Sequence, residues 1–278
     1  MGKSGVIETV GSGASAANAR IAIFDFDGTL SLIRSGWIDI MLSLCVEQLA
    51  AAQSGESEAQ LKEAAEEFIW RLIGKETIYQ MMALADAVRK QGGAPLEPSV
   101  YKMMYLERLL RKIADRLEAL RQGNIDPEQY TVPGSRQLLE ALRARGLRLY
   151  LASGTDDLNV KEEAGLLHLS SYFGQRIYGA QDDLQKFSKA LLIQQILSES
   201  DIRPHEIVVF GDGFVEIEEV KKVGGTAVGV ATTEPDCLDI DEWKRERLIK
   251  AGADFIVPNY LRLDQLLRTI FPGELGSY

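Results

Sequence analysis

The chain has 278 residues, 46% of them hydrophobic, and a formal net charge of -10. This length can bury the core of one or two domains, and the acidic balance disfavours nucleic acids and anionic membranes as partners. The two cysteines, Cys45 and Cys237, have no metal-ligand or redox spacing. Since no apolar run has the length of a membrane span or of a secretory signal near the start, we expect a soluble, cytoplasmic protein.

Residues 1–19 are rich in glycine, serine and alanine. Residues 11–16 have some likeness to a dinucleotide-binding glycine loop, but such a loop follows a strand and opens a helix. This segment precedes the first convincing strand instead. The pattern therefore predicts a flexible amino-terminal tail over residues 1–19.

The first strong strand signal is the apolar run over residues 21–24, which leads into Asp25, Asp27, Gly28 and Thr29. A short, uninterrupted apolar run is typical of a strand buried on both faces in a parallel sheet. In such sheets the reacting groups lie just beyond the carboxyl ends of the strands. We therefore expect both carboxylates at a strand end, with Gly28 allowing a sharp turn beside them.

A long helical region follows, and it is too long to be a loop. Apolar residues recur at helical spacing in four segments, over residues 37–52, 61–73, 77–90 and 100–120. Ser57 and Gln60 predict a capping box at the start of the second segment. We predict an all-α insertion over residues 34–130.

Beyond residue 130, short apolar runs alternate with helical segments. The predicted strands cover residues 147–152, 177–179, 207–210, 227–230 and 255–257. Strands that alternate with helices predict a parallel sheet with right-handed crossovers. The sheet domain is therefore expected to be discontinuous, over residues 20–33 and 131–278.

The chemistry-bearing residues stand at strand ends or at a helix start. They are Asp25, Asp27, Ser153, Gly154, Lys189, Asp212 and Glu216. In this order they resemble the four motifs of the haloacid dehalogenase (HAD) superfamily, and the helical insertion resembles the cap of its phosphoglycolate-phosphatase-like and β-phosphoglucomutase-like branch. The resemblance implies a Rossmann-like, three-layer α/β core with a parallel sheet and an inserted all-α helical cap domain.

The resemblance also implies a nucleophile and a metal site. Asp25 would form an aspartyl-phosphate and bind Mg²⁺. Asp27 would give its backbone carbonyl to the metal, and its side chain would be general acid and then general base. Asp212 and Glu216 would complete the ligands, since clustered carboxylates suit a hard cation.

For the phosphate itself, the resemblance implies the hydroxyl of Ser153 and the amide of Gly154 as hydrogen-bond donors. Lys189 would neutralise charge on the phosphoryl group and on Asp25. Lys186 is the weaker alternative, because Lys189 directly precedes an apolar helical run.

Glu216 leaves alternatives open, because the family usually has aspartate at this position. Glu216 can bind the metal directly, bind it through water, or belong to an acidic surface with Glu218 and Glu219. Its place four residues after Asp212 favours a ligand role, since positions four apart share a helix face.

The implied activity is a Mg²⁺-dependent phosphatase that hydrolyses a small phosphorylated metabolite. A phosphomutase of the β-phosphoglucomutase type is the alternative, and a non-catalytic phosphate-binding or regulatory protein is a third. Arg34 and Lys75 are candidates to contact the anionic substrate from the cap, or else they are solvated surface charges. The sequence leaves the substrate and the oligomeric state open.

Overall fold

The computed structural model describes residues 6–11, 13–181, 187–199 and 201–272. The chain divides into two compact units. One runs up to Ser35 and resumes at Ala119, and it carries the sheet; the other, Gly36–Glu118, is helical. Within the described residues, no helix combines the length and the apolar character needed to cross a membrane.

The sheet has seven strands among the described residues. They are β1 (Glu8–Thr9), β2 (Ile21–Phe24), β3 (Arg148–Asp156), β4 (Ile177–Ala180), β5 (Ile207–Gly211), β6 (Thr226–Val230) and β7 (Phe255–Val257). Their order is β1-β7-β6-β5-β2-β3-β4, and all neighbours are parallel except β1 and β7. This sheet confirms the predicted α/β class, and it places β2 between β5 and β3.

Helices alternate with these strands in the sheet unit. They are α5 (Ser135–Ala144), α6 (Asp157–Leu166), α7 (Ser170–Phe173), α8 (Lys189–Glu199), α9 (Phe214–Val223), α10 (Glu242–Ala251) and α11 (Leu263–Ile270). The helical unit contains α1 (Trp37–Ala50), α2 (Glu58–Arg71), α3 (Thr77–Lys90) and most of α4 (Pro98–Arg121).

All four residues of β2 are buried, as expected for a central strand covered on both faces. Ile23 belongs to a core cluster with apolar residues of α8, α9 and α10. Phe24 points to the opposite face, where its ring stacks on Phe210 at 4.6 Å and meets the edge of Phe173 in α7. Burying each large side chain of this kind stabilises the fold by about 1.5–3 kcal/mol, so β2 is held firmly from both sides.

The predicted flexible tail is wrong for residues 8–11 and 13–19. Glu8–Thr9 pairs with β7 as an antiparallel edge strand, and the fully buried Ala16 donates its N–H to the carbonyl of Ile270 at 2.7 Å. Arg245 binds both carboxylate oxygens of Glu8 at 2.6 Å. The sequence did not reveal this because a two-residue strand has no periodicity, and its partners lie more than two hundred residues away.

The helical unit has its own apolar core, in which α1 packs against α2 and α3. The capping box of α2 is confirmed: Ser57 Oγ accepts the N–H of Gln60, and Gln60 Oε1 accepts the N–H of Ser57 at 2.9 Å. Arg108 of α4 binds the carboxylate of Glu47 in α1.

The helical unit is shorter than the predicted insertion over residues 34–130. The chain after α4 already belongs to the sheet unit, because backbone bonds attach it to the segment that follows β2. Leu32 donates its N–H to the carbonyl of Tyr130 at 2.8 Å, and Val132 donates to Leu30 at 3.0 Å. These bonds are long-range, so helical periodicity could not reveal the boundary.

Candidate active site

The carboxyl ends of β2, β3 and β5 lie side by side. Phe24 is in register with Leu151 of β3 and with Phe210 of β5. Asp25 follows directly, donates its N–H to the carbonyl of Phe210 at 2.9 Å, and is only 7% exposed. Strand pairing therefore fixes the position of Asp25 at the centre of this edge.

Three carboxylates meet at this edge. Asp25, Asp212 and Glu216 each offer one oxygen, and these three oxygens lie within 4.8 Å of one another. Asp212 directly follows β5 and donates its N–H to Thr29 Oγ1 at 3.0 Å. Because hard divalent cations prefer oxygen ligands, this group suits such a cation.

Glu216 is buried in this cluster rather than placed on an acidic surface. It lies in the first turn of α9 and is 2% exposed, and its Oε1 accepts the N–H of Gly213 at 2.8 Å. A Cβ at position 211 would overlap the Glu216 carboxyl group, so Gly211 leaves the space that this longer side chain occupies. This burial contradicts the surface alternative, and the ligand role of Glu216 stays a prediction.

Lys189 joins two of these carboxylates. It begins α8, and its buried Nζ lies 3.0 Å from Asp25 Oδ1 and 2.8 Å from Glu216 Oε2. Burial alone would lower the pKa of Lys189, but Asp25 and Glu216 outweigh burial and raise it. The ammonium group is therefore charged at neutral pH. Lys186, the weaker alternative, lies outside the described residues.

A second lysine, which the sequence analysis missed, binds the third carboxylate. Lys244 of α10 places Nζ 3.0 Å from Asp212 Oδ2 and 2.9 Å from Glu234 Oε1. Glu234 in turn accepts a hydrogen bond from Ser35 Oγ at 2.7 Å. Lys244 follows Asp212 by 32 residues and stands in a largely polar helix, so no local pattern distinguishes it from a surface lysine.

Burial changes the pKa of two of these carboxyl groups despite the neighbouring lysines. Burial raises the pKa of Glu216 to about 8, against the opposing effect of Lys189. Burial likewise raises the pKa of Asp212 to about 6, with Lys244 opposing it. Both shifts follow mainly from burial, which disfavours the charged form of each carboxyl group. The donor set and its charge fit a divalent cation.

Asp27 occupies a different environment from Asp25. Its Oδ2 accepts a hydrogen bond from Thr155 Oγ1 at 2.7 Å, whereas its buried Oδ1 has no hydrogen-bond partner within the described part of the chain. Burial raises the pKa of Asp27 to about 7; Arg34 opposes this rise and Glu163 supports it. At neutral pH this carboxyl group can therefore hold or accept a proton.

Ser153 and Gly154 lie within β3, which runs four residues beyond its predicted end at Ala152. The register against β4 shifts between Ala152 and Asp156, so an irregular strand end carries the Ser-Gly pair. Ser153 is 1% exposed, and its Oγ accepts the N–H of Thr155 at 3.0 Å. Thr155 thus links Ser153 to Asp27, a link that the sequence analysis missed.

Comparison with known proteins assigns the family. The haloacid dehalogenase-like hydrolase family matches residues 19–224, which include all four motifs. The chain belongs to this family. This match confirms the family resemblance that the motifs of the hydrolase predicted.

Solved structures share the fold of the hydrolase. A predicted phosphoglycolate phosphatase from Haemophilus somnus 129PT is 16% identical, with a TM-score of 0.54 over 90% of this chain and 98% of that chain. A β-phosphoglucomutase candidate from Thermotoga maritima is 19% identical, with a TM-score of 0.52 over 89% and 99%. A haloacid dehalogenase-like family protein from Streptococcus pneumoniae is 15% identical, with a TM-score of 0.56 over 90% and 99%. No curated protein matches the sequence.

Arg34 of the hydrolase is not a solvent-facing charge. It is 6% exposed and binds Glu163 of α6 through Nε, at 3.1 Å from both carboxylate oxygens, and through Nη2 at 2.6 Å. The sequence did not reveal this buried partner because Glu163 follows 129 residues later. The burial excludes the alternative of a solvated surface charge, and a contact of Arg34 with substrate stays a prediction.

Lys75 lies in the helical unit and is exposed, with its Nζ 5.6 Å from the centre of the Tyr79 ring. This local contact fits a solvated surface charge. Its role in substrate binding stays a prediction.

Replacement of Gly28 by alanine tests how closely the loop after β2 packs on Asp212. A Cβ at position 28 would overlap Asp212 Oδ2, and the residue has φ +71. Gly146 is the matched control, because it has φ +81 and nothing within 4 Å of a Cβ. We expect Gly146→Ala to lower the free energy of unfolding by about 1–2 kcal/mol from backbone strain alone. Gly28→Ala should lower it further, as measured by urea denaturation; equal losses would contradict the packing described here.

Proposed function

We propose that this hydrolase is a Mg²⁺-dependent phosphatase that cleaves a small phosphomonoester through an aspartyl-phosphate on Asp25. The observation that carries the proposal is the carboxylate of Asp25 held at the central strand end, in contact with Lys189 and beside two further carboxylates. The contact with Lys189 and the carboxylates that would hold a cation address one chemical difficulty, since a phosphomonoester is an anion that repels an anionic nucleophile.

The cation site consists of Asp25, Asp212 and Glu216, together with the backbone carbonyl of Asp27. Both oxygens of Glu216 already accept hydrogen bonds, from Gly213 and Lys189. A carboxylate oxygen has two lone pairs, so Glu216 can bind the metal directly or through water. When bound, Mg²⁺ neutralises charge that the phosphoryl group and the carboxylates would otherwise share.

In the first step, a carboxylate oxygen of Asp25 attacks phosphorus, and the bond from phosphorus to the ester oxygen breaks. Asp27 donates a proton to the leaving oxygen, so the alcohol departs neutral. In the second step, Asp27 takes a proton from water as the water oxygen attacks the aspartyl-phosphate. Inorganic phosphate leaves, Asp25 is regenerated as a carboxylate, and Asp27 is protonated again.

The environment of Asp27 supports this double role. A general acid that later acts as a base works best when its pKa lies near the operating pH. The raised pKa of Asp27, about 7, meets that requirement. Thr155 orients the carboxyl group through Oδ2, which leaves Oδ1 for the proton that moves.

In this proposal, the hydroxyl of Ser153 and the N–H of Gly154, near the end of the neighbouring strand β3, donate hydrogen bonds to the phosphate oxygens. The hydroxyl hydrogen of Ser153 is available, because its Oγ acts as acceptor toward Thr155. Lys189 stabilises charge on the phosphoryl group as Asp25 shares its own charge with phosphorus.

A phosphomutase is the second candidate, favoured by the shared fold with the β-phosphoglucomutase candidate from Thermotoga maritima. The same residues would then return the phosphoryl group to a substrate instead of to water. The two activities differ in a simple way, since a mutase interconverts isomers and requires a bisphosphate primer.

A panel of phosphorylated metabolites tests the function. With Mg²⁺, we expect at least one small phosphomonoester to release inorganic phosphate, measured by a colorimetric assay. Asp25→Asn should abolish the release because an amide is not a nucleophile, while Asp264→Asn, an exposed aspartate of α11, should leave it unchanged. Phosphate release that survives Asp25→Asn would contradict the covalent mechanism.

Metal removal tests the ligand set. Chelation with EDTA should stop turnover, and Mg²⁺ should restore it. Glu216→Gln should move the midpoint of Mg²⁺ activation to higher concentration, because it removes one negative ligand. Glu219→Gln is the matched control, since Glu219 pairs with Lys222 on the outer part of the same helix. An unchanged midpoint in Glu216→Gln would remove Glu216 from the metal site.

A further inference from the structure

Lys244 and Glu234 form a charged pair beside the proposed metal site. The proposed mechanism does not use this pair. The ammonium of Lys244 lies 3.0 Å from Asp212 and 2.9 Å from Glu234, and its side chain is 14% exposed. Lys244 stands on α10 and Glu234 in the segment after β6, so two further elements of the sheet unit converge on Asp212. Burying a lysine in this way is costly unless it makes ionic contacts, which both carboxylates supply.

The contact occupies an oxygen on a proposed metal ligand. Lys244 binds Asp212 Oδ2, and the close approach of Gly28 restricts the space around the same atom. A cation that binds Asp212 therefore meets an ammonium group already in place. Like charges at such short separation repel, and a divalent cation doubles the effect.

Glu234 moderates this competition. Its carboxylate accepts hydrogen bonds from Lys244 and, through the other oxygen, from Ser35 Oγ at 2.7 Å. The ammonium of Lys244 can therefore keep one anionic partner when Asp212 turns to a metal. Of the two carboxylates that contact Lys244, Asp212 alone would remain if Glu234 were removed.

We propose that Lys244 acts as an internal counter-ion for Asp212, which keeps the carboxylate cluster assembled before metal binds, and that Glu234 draws Lys244 away when metal arrives. The pair thereby sets the affinity for Mg²⁺. Both residues are positioning residues that act through Asp212. The inference rests on the proposed function only in taking Asp212 as a metal ligand.

The test follows thermal unfolding of the full chain during titration with MgCl₂, because a metal that binds the folded state raises the unfolding temperature. Lys244→Met should bind Mg²⁺ at least about tenfold more tightly, because removing a unit charge near a divalent cation has an effect of this size even at the dielectric constant of bulk water. In EDTA, the same variant should unfold at a lower temperature than the unaltered protein, since Asp212 loses its counter-ion. Lys250→Met, an exposed lysine on the same helix, is the matched control and should change neither value.

Glu234→Gln should have the opposite effect and weaken Mg²⁺ binding. In the double variant with Lys244→Met, the Glu234 substitution should lose most of its effect, because it acts through the ammonium group. A purely structural role for the pair would weaken Mg²⁺ binding in both single variants.

Unchanged or weaker Mg²⁺ binding by Lys244→Met would overturn the counter-ion role, and so would additive effects in the double variant. The proposed function fails separately, if the unaltered protein shows no response to MgCl₂ at all. That result would overturn the inference together with the metal site.

Discussion

Negative charge gathered at the ends of two neighbouring strands, β2 and β5, is the constraint on which the rest of this structure depends. Asp25, Asp212 and Glu216 bring oxygens within 4.8 Å of one another in a largely buried setting. Buried carboxylates are unfavourable unless they are paired. Lys189 and Lys244 supply that pairing from α8 and α10. Even so, burial raises the pKa values of Glu216 and Asp212 against the opposing effect of these lysines.

The sheet makes this concentration of charge possible because strand pairing fixes the backbone positions that carry these side chains. β2 is buried on both faces and paired on both edges, so Asp25 has little freedom at its end. Two glycines then allow close approach: Gly28 to Asp212, and Gly211 to Glu216. The stability of the apolar core thus holds together groups that would otherwise repel. In the proposed mechanism, the same repulsion becomes the driving force for binding a cation, which in turn lets the anionic phosphoryl group approach.

The sequence predicted the parts of the molecule that follow from local pattern. The apolar run of β2, the polar residues at the strand ends and the capping box at Ser57 were all visible in single stretches of sequence. The edge strand at Glu8 was not visible in the sequence, and neither was the residue at which the sheet unit resumes after α4. Both depend on backbone hydrogen bonds between distant residues. The same reason accounts for Arg34, whose charge pairs with Glu163, and for Lys244, whose helix has no distinguishing periodicity. Charged side chains were identified by type, but their partners required the fold.

The most direct test of the account is to find the phosphoryl group on Asp25. The protein would be mixed with a substrate and Mg²⁺, quenched with acid during turnover, and digested for peptide mass spectrometry. The account predicts one phosphoryl group on the peptide that contains Asp25, and none on that peptide in the Asp25→Asn protein. Phosphorylation at another residue, or steady turnover by the Asp25→Asn protein, would contradict it.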